Sequence, residues 1–254
     1  MQPRFEGRVA AVTGAAGALG RATAQALAAE GARLFLFDCD AAGLEATAAL
    51  CPGAVTFVGD TTRADDMERA ASRARRAFGP VELLAAAAGI VGPSKIAIEV
   101  DEAEFDRVFA INVKGSWLAA RHFIPHMREI GRGSVALFSS TSGLQGSPVL
   151  SVYSASKGAV TLLTRSLALN HAAENIRVNC VCPGTIDSPM NDRAIAASGD
   201  AAAQAARAAF QKSRHPMNRF GTPQEVADAV LYLLSDQASF TTGVALPVDG
   251  GRLA

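Results

Sequence analysis

The strongest constraint on the fold is the alternation of short apolar runs with longer helical patterns along the whole chain. The apolar runs are continuous and rich in Val, Leu and Phe, without the polar alternation of a half-exposed strand. Strands of this kind are buried on both faces, and strands separated by helices pair in parallel. The sequence therefore predicts an α/β fold with a doubly wound, seven-stranded parallel sheet and helices on both faces.

The predicted elements fill the chain without a linker or an internal repeat, so residues 1–254 are expected to form one domain. Pro125 lies inside the fourth predicted helix, where we expect a kink or an end, because proline lacks the backbone donor. The predicted strands are RVAAV, RLFLF, AVTFV, VELLAAA, SVALFS, IRVNCV and VALPV, and the predicted helices span residues 18–29, 41–50, 63–78, 102–129, 152–172 and 223–234.

The composition excludes several classes of partner. Lys plus Arg equal Asp plus Glu, at 24 each, so the formal net charge is zero and gives no attraction to nucleic acid or anionic lipid. The longest uncharged stretch, residues 133–156, contains several Ser, Gly and Pro residues, so it does not predict a membrane helix. The opening MQPRFEGR has no signal-peptide pattern, and four scattered cysteines favour reduced thiols. We therefore expect a cytoplasmic protein without membrane or nucleic-acid partners.

No metal site is predicted. Cys180 and Cys182 would share one face of a strand, and His122 and His126 lie one helical turn apart. Neither pair has an evident third ligand. We expect core thiols and surface or interface histidines.

The stretch VTGAAGALG follows the first predicted strand and opens the first helix. Gly14, Gly17 and Gly20 allow a tight turn and close approach of the backbone to a pyrophosphate. The helix N-terminus adds free N–H groups and a partial positive charge. In this strand–turn–helix setting, the pattern predicts a dinucleotide site.

Asp38, at the end of the second strand, indicates which dinucleotide binds. A carboxylate there accepts hydrogen bonds from the ribose hydroxyls and repels a 2′-phosphate, which favours NAD over NADP. Arg21 and Arg33 are the nearest cations and keep NADP open as an alternative. Asp38 could instead cap the helix that starts at Ala41.

The motif YSASK contains one of only two tyrosines in the chain. Tyr153 and Lys157 would share a helix face, either as a reactive pair or as a tyrosine packed on a lysine stem. Ser139 and Ser140 end the fifth strand, at the carboxyl edge where ligands bind in such sheets. Asn112 lies within a predicted helix, where its propensity gives no reason for it.

Together these stretches resemble the short-chain dehydrogenase/reductase family, in its single-domain branch, over nearly the whole chain. The resemblance implies a Rossmann-type fold and an NAD-dependent oxidoreductase that interconverts a secondary alcohol and a ketone by hydride transfer. It also implies a homotetramer. The alternatives are an NADPH-dependent ketoreductase and a non-catalytic NAD-binding sensor or scaffold. The matching stretches are TGAAGALG, AAAAG, INVKG, FSS, YSASK, PGTIDSPM and GVALPVDGG.

The resemblance also implies roles for individual residues. Tyr153 would be the general acid–base, with Lys157 lowering its pKa and binding the nicotinamide ribose. Ser140 would hold the substrate oxygen, and Asn112 would help carry the proton out through water. Asp60 would bind the adenine ring unless it caps the helix near residue 63. The implied cofactor-binding residues are Gly14, Gly17, Leu19, Gly20, Asp38, Asp60, Thr61, Ala88, Gly89, Tyr153, Lys157, Pro183, Gly184, Ile186 and Ser188.

The chain departs from the family pattern in two places. Ala18 stands where the family usually has glycine, and Ala86 and Ala87 replace two asparagines that would tie neighbouring strands together. We expect fewer side-chain hydrogen bonds there, offset by apolar packing.

Three segments are expected to surround the substrate. A flap is expected at about 189–214, built on a low-complexity stretch that could equally be a plain surface helix. Val91–Ser94, Leu144–Val149 and the segment after Met190 are mostly small and apolar. They favour an uncharged alcohol or a cyclic or hydroxylated compound.

Overall fold

The strand order of the sheet reverses at its centre. The computed structural model describes residues 3–254. The strands pair in parallel in the order β3-β2-β1-β4-β5-β6-β7, which confirms the predicted fold class. All seven carboxyl ends lie on one edge, with the reversal between β1 and β4. The strands are β1 Val9–Thr13, β2 Arg33–Asp38, β3 Val55–Val58, β4 Leu83–Ala86, β5 Gly133–Phe138, β6 Ile176–Pro183 and β7 Ala245–Val248.

Helices cover both faces of the sheet. None of the helices within residues 3–254 combines the length and the apolar character needed to span a bilayer. The helices are α1 Ala18–Ala29, α2 Ala41–Ala48, α3 Ala64–Phe78, α4 Glu102–Phe109, α5 Gly115–Ile130, α6 Ser151–His171, α7 Pro189–Ala196, α8 Ala201–Ser213 and α9 Pro223–Leu234.

The sheet divides the core into two layers. One face packs against α3, α5 and α6 through residues such as Met67, Phe123 and Val160. The other packs against α1 and α9 through Leu27 and Leu231. Strands β1, β4 and β5 are buried along their whole length, which explains their continuous apolar runs. Burial of each large apolar side chain stabilises the fold by about 1.5–3 kcal/mol relative to leaving it exposed. The packed core therefore holds the strands, and with them the carboxyl edge of the sheet, in fixed positions.

The predicted helix over residues 102–129 is wrong in its middle. Helix α4 ends at Phe109, and Ala110–Lys114 form a π turn before α5 begins. The helix also does not end at Pro125, since it runs on to Ile130, where Gly131 adopts a left-handed φ of 69°. A π turn widens the helix locally and is common at functional sites, and this one contains Asn112.

The segment expected to form a flap folds into two short helices, α7 and α8. Between them Gly199 has a φ of 122°, and the Asp200 side chain caps α8 by accepting from the Ala203 N–H at 2.9 Å. Helix α8, which is described throughout, has no buried residue, and α7 buries only Asn191. The two helices lie on the surface with little core packing, as either a flap or a plain surface helix would.

Candidate active site

The glycine-rich turn joins β1 to α1 and lies against the loop after β4. Gly14 has a φ of 69°, and a Cβ atom there would lie 2.5 Å from the Ala88 backbone nitrogen. A Cβ atom at Gly20 would overlap the Gly14 carbonyl oxygen. Both positions therefore require glycine. The turn is in close backbone contact with the loop after β4, at the point where the strand order reverses. Doubly wound parallel sheets bind their ligands at this point.

Gly17 has a different part in this turn, as the N-cap residue of α1. Its φ of −75° suits any residue, and a Cβ atom there would approach the Gly14 oxygen only to 3.4 Å. Ala18 and Leu19 follow in the first turn of α1. No side chain within residues 3–254 caps this terminus, so its backbone N–H groups can bind an anion. The cradle fits the pyrophosphate of a dinucleotide.

The two alanines that depart from the family pattern are absorbed into the core. Ala86 is buried on one face of the sheet, and Ala87 packs against the other. The Ala87 N–H donates to the Thr13 carbonyl at 3.0 Å, so the backbone still ties β4 to β1 beyond the ends of the strands.

Asp38 lies at the end of β2, beside the glycine-rich turn. Its carboxylate accepts from the backbone N–H of Ala16 at 2.9 Å and of Asp40 at 3.0 Å. The alternative that Asp38 caps α2 is wrong, because Asp40 caps that helix by accepting from the Gly43 N–H at 3.1 Å. A carboxylate offers about four acceptor positions, so Asp38 keeps capacity for two ribose hydroxyls.

The two nearby cations are committed elsewhere. The Arg21 guanidinium donates to the Thr47 hydroxyl at 3.0 Å and to the Ala16 carbonyl at 3.3 Å. Arg33 lies at the opposite end of β2, with its guanidinium 4.7 Å from the centre of the Phe78 ring. Neither is placed as a spare cation beside Asp38.

Asp60 and Thr61 reach the same edge from the loop after β3. The Asp60 carboxylate accepts from the Thr62 N–H at 2.8 Å and forms a turn. The alternative that Asp60 caps α3 is wrong, because the N-cap residue is Arg63. Thr61 is buried, and its hydroxyl lies 2.9 Å from where a Cβ atom of Gly115 would stand, so it packs against the start of α5.

Tyr153 and Lys157 lie one turn apart on α6, and the Lys157 Nζ is 5.7 Å from the centre of the Tyr153 ring. The Nζ donates to the Phe138 carbonyl at 2.8 Å, at the end of β5. A Cβ atom on Gly89 would lie 3.1 Å from this Nζ and 3.2 Å from the Asn112 Oδ1. The lysine, the asparagine and the loop after β4 therefore converge.

The two serines after β5 differ in their contacts. The Ser139 hydroxyl donates to the Lys157 carbonyl at 2.9 Å and pairs with the Thr161 hydroxyl at 2.8 Å, so it fastens α6 to the strand. The Ser140 oxygen accepts from the Ser142 N–H at 3.1 Å. Its own O–H remains a donor that can face a substrate oxygen.

Burial dominates the electrostatics of the tyrosine–lysine pair. It raises the pKa of the Tyr153 phenol, against a smaller lowering by the Ser140 hydroxyl. Burial lowers the pKa of Lys157 to about 8. Charge is disfavoured on both groups unless an opposite charge lies beside them. A lowered phenol pKa therefore stays a prediction for the complex that contains a cationic nicotinamide ring.

Asn112 is fully buried in the π turn and is saturated with hydrogen bonds. Its Oδ1 accepts from the Ile90 N–H at 2.8 Å, and its Nδ2 donates to the Ile90 carbonyl at 2.9 Å and the Ser156 hydroxyl at 3.0 Å. Ser156 in turn donates to the Tyr153 carbonyl at 2.7 Å. The amide thus holds the loop after β4 against α6, and its part in carrying a proton stays a prediction.

The loop after β6 closes one side of this edge. Pro183 ends β6, and the Gly184 N–H donates to the Val248 carbonyl at 3.0 Å. Ile186 is buried, and Ser188 is the N-cap residue of α7. The loop predicted to contact the nicotinamide therefore leads directly into α7 and α8, the segment predicted to form a flap.

His215 also touches this loop, and the sequence pattern did not single it out. Its ring is 2% exposed, and its Nε2 accepts from the Thr185 N–H at 3.0 Å. A Cβ atom on Gly184 would lie 2.7 Å from the Nε2. A single histidine before a proline carries no periodic signal, so only the three-dimensional structure identifies it.

Of the metal-ligand candidates, Cys180, Cys182 and His126 are buried, and His122 is half-buried. His126 is buried and accepts from the Val81 N–H at 3.3 Å, and burial lowers the pKa of both His122 and His126. Cys180 and Cys182 are fully buried in β6. Across residues 3–254, no three His, Cys, Asp or Glu side chains are grouped so as to hold a metal ion.

Comparisons with known proteins find relatives that match nearly the whole chain. A family model described as "Enoyl-(Acyl carrier protein) reductase" matches residues 14–252. The chain is 39% identical over 259 residues to "2-(S)-hydroxypropyl-CoM dehydrogenase 3" of Xanthobacter autotrophicus, with 100% of both chains covered. It is 39% identical over 234 residues to "Inactive 2-(S)-hydroxypropyl-CoM dehydrogenase 2" of the same organism, covering 91% of this chain and 99% of the relative. The crystal structure of levodione reductase matches with a TM-score of 0.94 at 35% identity, covering 98% of each chain.

Proposed function

Because the chain belongs to the short-chain dehydrogenase/reductase family, we propose that it is an NAD-dependent oxidoreductase that interconverts a secondary alcohol and a ketone. The observation that carries the proposal is the convergence of Tyr153, Lys157 and Ser140 at the carboxyl edge, beside a glycine cradle that fits a pyrophosphate. A half-buried tyrosine paired with a buried lysine, next to a dinucleotide site, supplies the acid–base group that alcohol oxidation requires.

The proposed chemistry divides proton and hydride transfer. Tyr153 accepts the hydroxyl proton when an alcohol is oxidised and returns it when a ketone is reduced. The Lys157 ammonium stabilises the phenolate form of Tyr153, which precedes proton uptake in oxidation and follows proton donation in reduction. The Ser140 hydroxyl, which faces the Tyr153 phenol, donates its O–H to the substrate oxygen and orients it. The bound nicotinamide cofactor supplies the hydride acceptor or donor that no side chain provides.

The proposed preference for NAD rests on charge. Asp38 lies beside the glycine-rich turn, and a 2′-phosphate near its carboxylate would meet like charge. Arg21 is held by three hydrogen bonds within the fold, and Arg33 lies at the far end of its strand. An NADP-binding site would need a cation where this chain offers an anion.

The proposed substrate is a small uncharged alcohol or a cyclic or hydroxylated compound. The loops that follow β4 and precede α6 are joined by a main-chain bridge between Lys95 and Leu150. The Lys95 ammonium is neutralised by Glu104 at 2.7 Å. The loops therefore present small apolar side chains instead of an unpaired charge.

We further propose a cytoplasmic homotetramer. Large apolar side chains stay exposed on the helices around α5, among them Phe105 at 43%, Trp117 at 40% and Leu162 at 62%. Apolar surface of this kind is typical of an interface between subunits. Light scattering coupled to gel filtration tests the assembly, and a monomeric mass would refute it.

A second candidate is a non-catalytic NAD-binding sensor or scaffold. The observation that favours it is the similarity to a relative named as inactive. The presence of Ser140, Tyr153 and Lys157 in one cluster speaks against it, because a scaffold needs no acid–base pair.

The first experiment is a thermal-shift titration with NAD and, separately, NADP. A ligand at 100 times its Kd stabilises by about 2.7 kcal/mol, which raises the Tm of a chain this long by about 5–10 °C. We expect this rise with NAD alone. A rise with NADP alone would overturn the cofactor assignment, and no rise with either would refute the oxidoreductase.

The second experiment compares Tyr153→Phe with Tyr232→Phe, which changes the only other tyrosine in the chain, on α9. Secondary alcohols are screened with NAD by following NADH absorbance. Tyr153→Phe should keep NAD binding and lose at least about 100-fold in kcat, since acid–base catalysis contributes about 10²–10⁴-fold. Tyr232→Phe should turn over like the wild type. Normal turnover by Tyr153→Phe would refute the role of Tyr153 as the general acid–base.

A further inference from the structure

The flap helices α7 and α8 are attached to the protein chiefly through their ends. Within these two helices only Asn191 is buried, so apolar packing contributes little to their position. At the first end, Ser188 caps α7 and continues from the loop after β6. At the second end, the chain leaves α8 and reaches His215, which is almost fully buried. His215 is therefore one contact that fixes the position of α8, beside the Lys212 ammonium, which lies 5.2 Å from the centre of the Phe220 ring.

His215 bridges the last turn of α8 and the loop after β6. Its Nδ1 lies 2.9 Å from the Gln211 carbonyl, and its Nε2 lies 3.0 Å from the Thr185 backbone nitrogen. The Gln211 carbonyl can only accept a hydrogen bond, so the Nδ1 facing it carries the proton. The Thr185 N–H can only donate, so the Nε2 facing it is unprotonated. Both partners are main-chain groups, which makes the imidazole a rigid link between two backbone segments.

The loop side of this link is tightly packed. The imidazole lies against the bare backbone of Gly184, where an added Cβ atom would come within 2.7 Å of its Nε2. The Thr185 carbonyl accepts from the Gly221 N–H at 3.0 Å, so this residue is held on both sides. A Cβ atom on Gly250 would lie 3.6 Å from the His215 Cβ, in the C-terminal tail. A displacement of the loop would therefore be passed to α8 through the ring.

We propose that His215 is a positioning residue that links the loop Pro183–Ser188 to α8, so that cofactor binding at the loop and closure of the flap over the substrate are coupled. The inference rests on the proposed function, since that function places the nicotinamide against this loop. The two hydrogen bonds of the His215 ring act in series, so breaking either one should release α8 from the loop. Only loss of the bond to Thr185 also leaves a loop N–H without its acceptor.

Two conservative variants separate these bonds. His215→Gln can place an amide oxygen near the position of Nε2 and still accept from Thr185, but it loses the donor to Gln211. His215→Asn can place an amide N–H near the position of Nδ1 and keep that donor, but it leaves the Thr185 N–H without an acceptor. His171→Gln is the matched control, because His171 lies at the far end of α6, paired with Glu174 at 2.8 Å.

Three readouts are compared: the Kd of NAD by calorimetry, the KM and kcat of the alcohol, and trypsin cleavage after Arg193 and Arg207 in the flap. His215→Gln should keep the Kd of NAD within about threefold. Its alcohol KM and its flap cleavage rate should rise about tenfold, with little change in kcat. His215→Asn should weaken NAD binding about tenfold, because the Thr185 N–H is left unpaired, and should also raise flap cleavage about tenfold, because the link between the loop and α8 is cut. His171→Gln should match the wild type.

A general loss of stability would not raise flap cleavage in both variants while weakening NAD binding in His215→Asn alone. If both variants changed all three readouts together, in proportion to a fall in Tm, or if neither changed any, the inference would be wrong. Failure of the proposed function looks different, because the wild type itself would then bind neither NAD nor NADP. The trypsin comparison without cofactor still tests the link in that case. Wild-type cleavage rates in His215→Gln would then refute it.

Discussion

Replacing Lys157 with methionine should stabilise the cofactor-free protein at pH 7 while abolishing turnover. Lys157 is 5% exposed, and burial lowers its pKa to about 8. At pH 7 the folded protein therefore holds a largely protonated ammonium in a site that disfavours charge. Methionine is unbranched and flexible enough to fill the same space without a charge.

The size of the effect follows from two opposing contributions. A pKa lowered from 10.5 to about 8 corresponds to about 3 kcal/mol of destabilisation while the group is protonated in both states. The variant also loses the hydrogen bond from Nζ to the Phe138 carbonyl at 2.8 Å, a loss of about 1–2 kcal/mol. The net gain is about 1–2 kcal/mol, or a Tm higher by about 2–8 °C.

The pH dependence gives the prediction its sign. The folded pKa of Lys157 lies below the unfolded value, so the unfolded state binds more protons between about pH 8 and 10.5. The destabilisation is fully present below pH 8 and disappears as pH rises through this window. The advantage of Lys157→Met should therefore shrink above pH 8 and reverse near pH 10, where only the lost hydrogen bond remains.

The assay is thermal unfolding of the wild type and Lys157→Met at pH 7, 8.5 and 10, read as the difference between them. Other groups titrate in both proteins and cancel in this difference. Lys114→Met is the control, because Lys114 is exposed at the end of the π turn and should change stability by less than about 0.5 kcal/mol. A Lys157→Met protein that is less stable at pH 7, by an amount independent of pH, would refute the reasoning.

Three further substitutions test the turn, the cofactor choice and the buried amide. Asp38→Asn should weaken NAD about tenfold and narrow the gap between NAD and NADP, because the like charge that repels a 2′-phosphate is gone; calorimetry with both dinucleotides checks this, and an unchanged ratio would contradict it. Gly20→Ala should prevent soluble folding, because its added methyl group overlaps the backbone, whereas Gly17→Ala should fold with a near-normal Tm. Equal expression and equal Tm values of the two variants would contradict this prediction. Asn112→Ala should lose about 2–4 kcal/mol of stability in denaturant unfolding, because it strips partners from both backbone groups of Ile90; a loss below about 1 kcal/mol would contradict it.

The sequence was sufficient where one physical requirement dominates a position. Continuous apolar runs predicted the buried strands because a central parallel strand has no solvent face. Gly14 and Gly20 were predictable because backbone contact there leaves no room for a side chain. The spacing of Tyr153 and Lys157 placed both on α6 because helical periodicity is fixed.

The sequence was insufficient where the outcome depends on a distant partner. The π turn at Ala110–Lys114 follows no local propensity, and it places the Asn112 amide where it pairs with Ile90 and Ser156. The contrast between Ser139 and Ser140 arises from which hydroxyl faces α6, and two adjacent serines look alike in a pattern. His215 is defined by partners on two other segments, so no spacing predicts its role.

These contacts divide the candidate site into a rigid half and an adjustable half. Helix α6 is tied to β5 twice, by Ser139 on the Lys157 carbonyl and by the Lys157 Nζ on the Phe138 carbonyl. A third tie runs through Asn112 and Ser156 to the loop after β4. The acid–base pair therefore cannot move without breaking several buried hydrogen bonds.

The segment predicted to form the flap has fewer ties: the His215 imidazole joins the end of α8 to the loop after β6, and the Lys212 ammonium lies 5.2 Å from the centre of the Phe220 ring. Proton transfer depends on fixed distances, whereas substrate entry and release require a segment that opens at low cost. The difference in the number of ties therefore matches the different demands on the two halves. Amide hydrogen exchange should follow the same division, with slow exchange around Lys157 and fast exchange in α8 that NAD slows. Equal protection of both segments without NAD would contradict this assignment of rigid and adjustable parts.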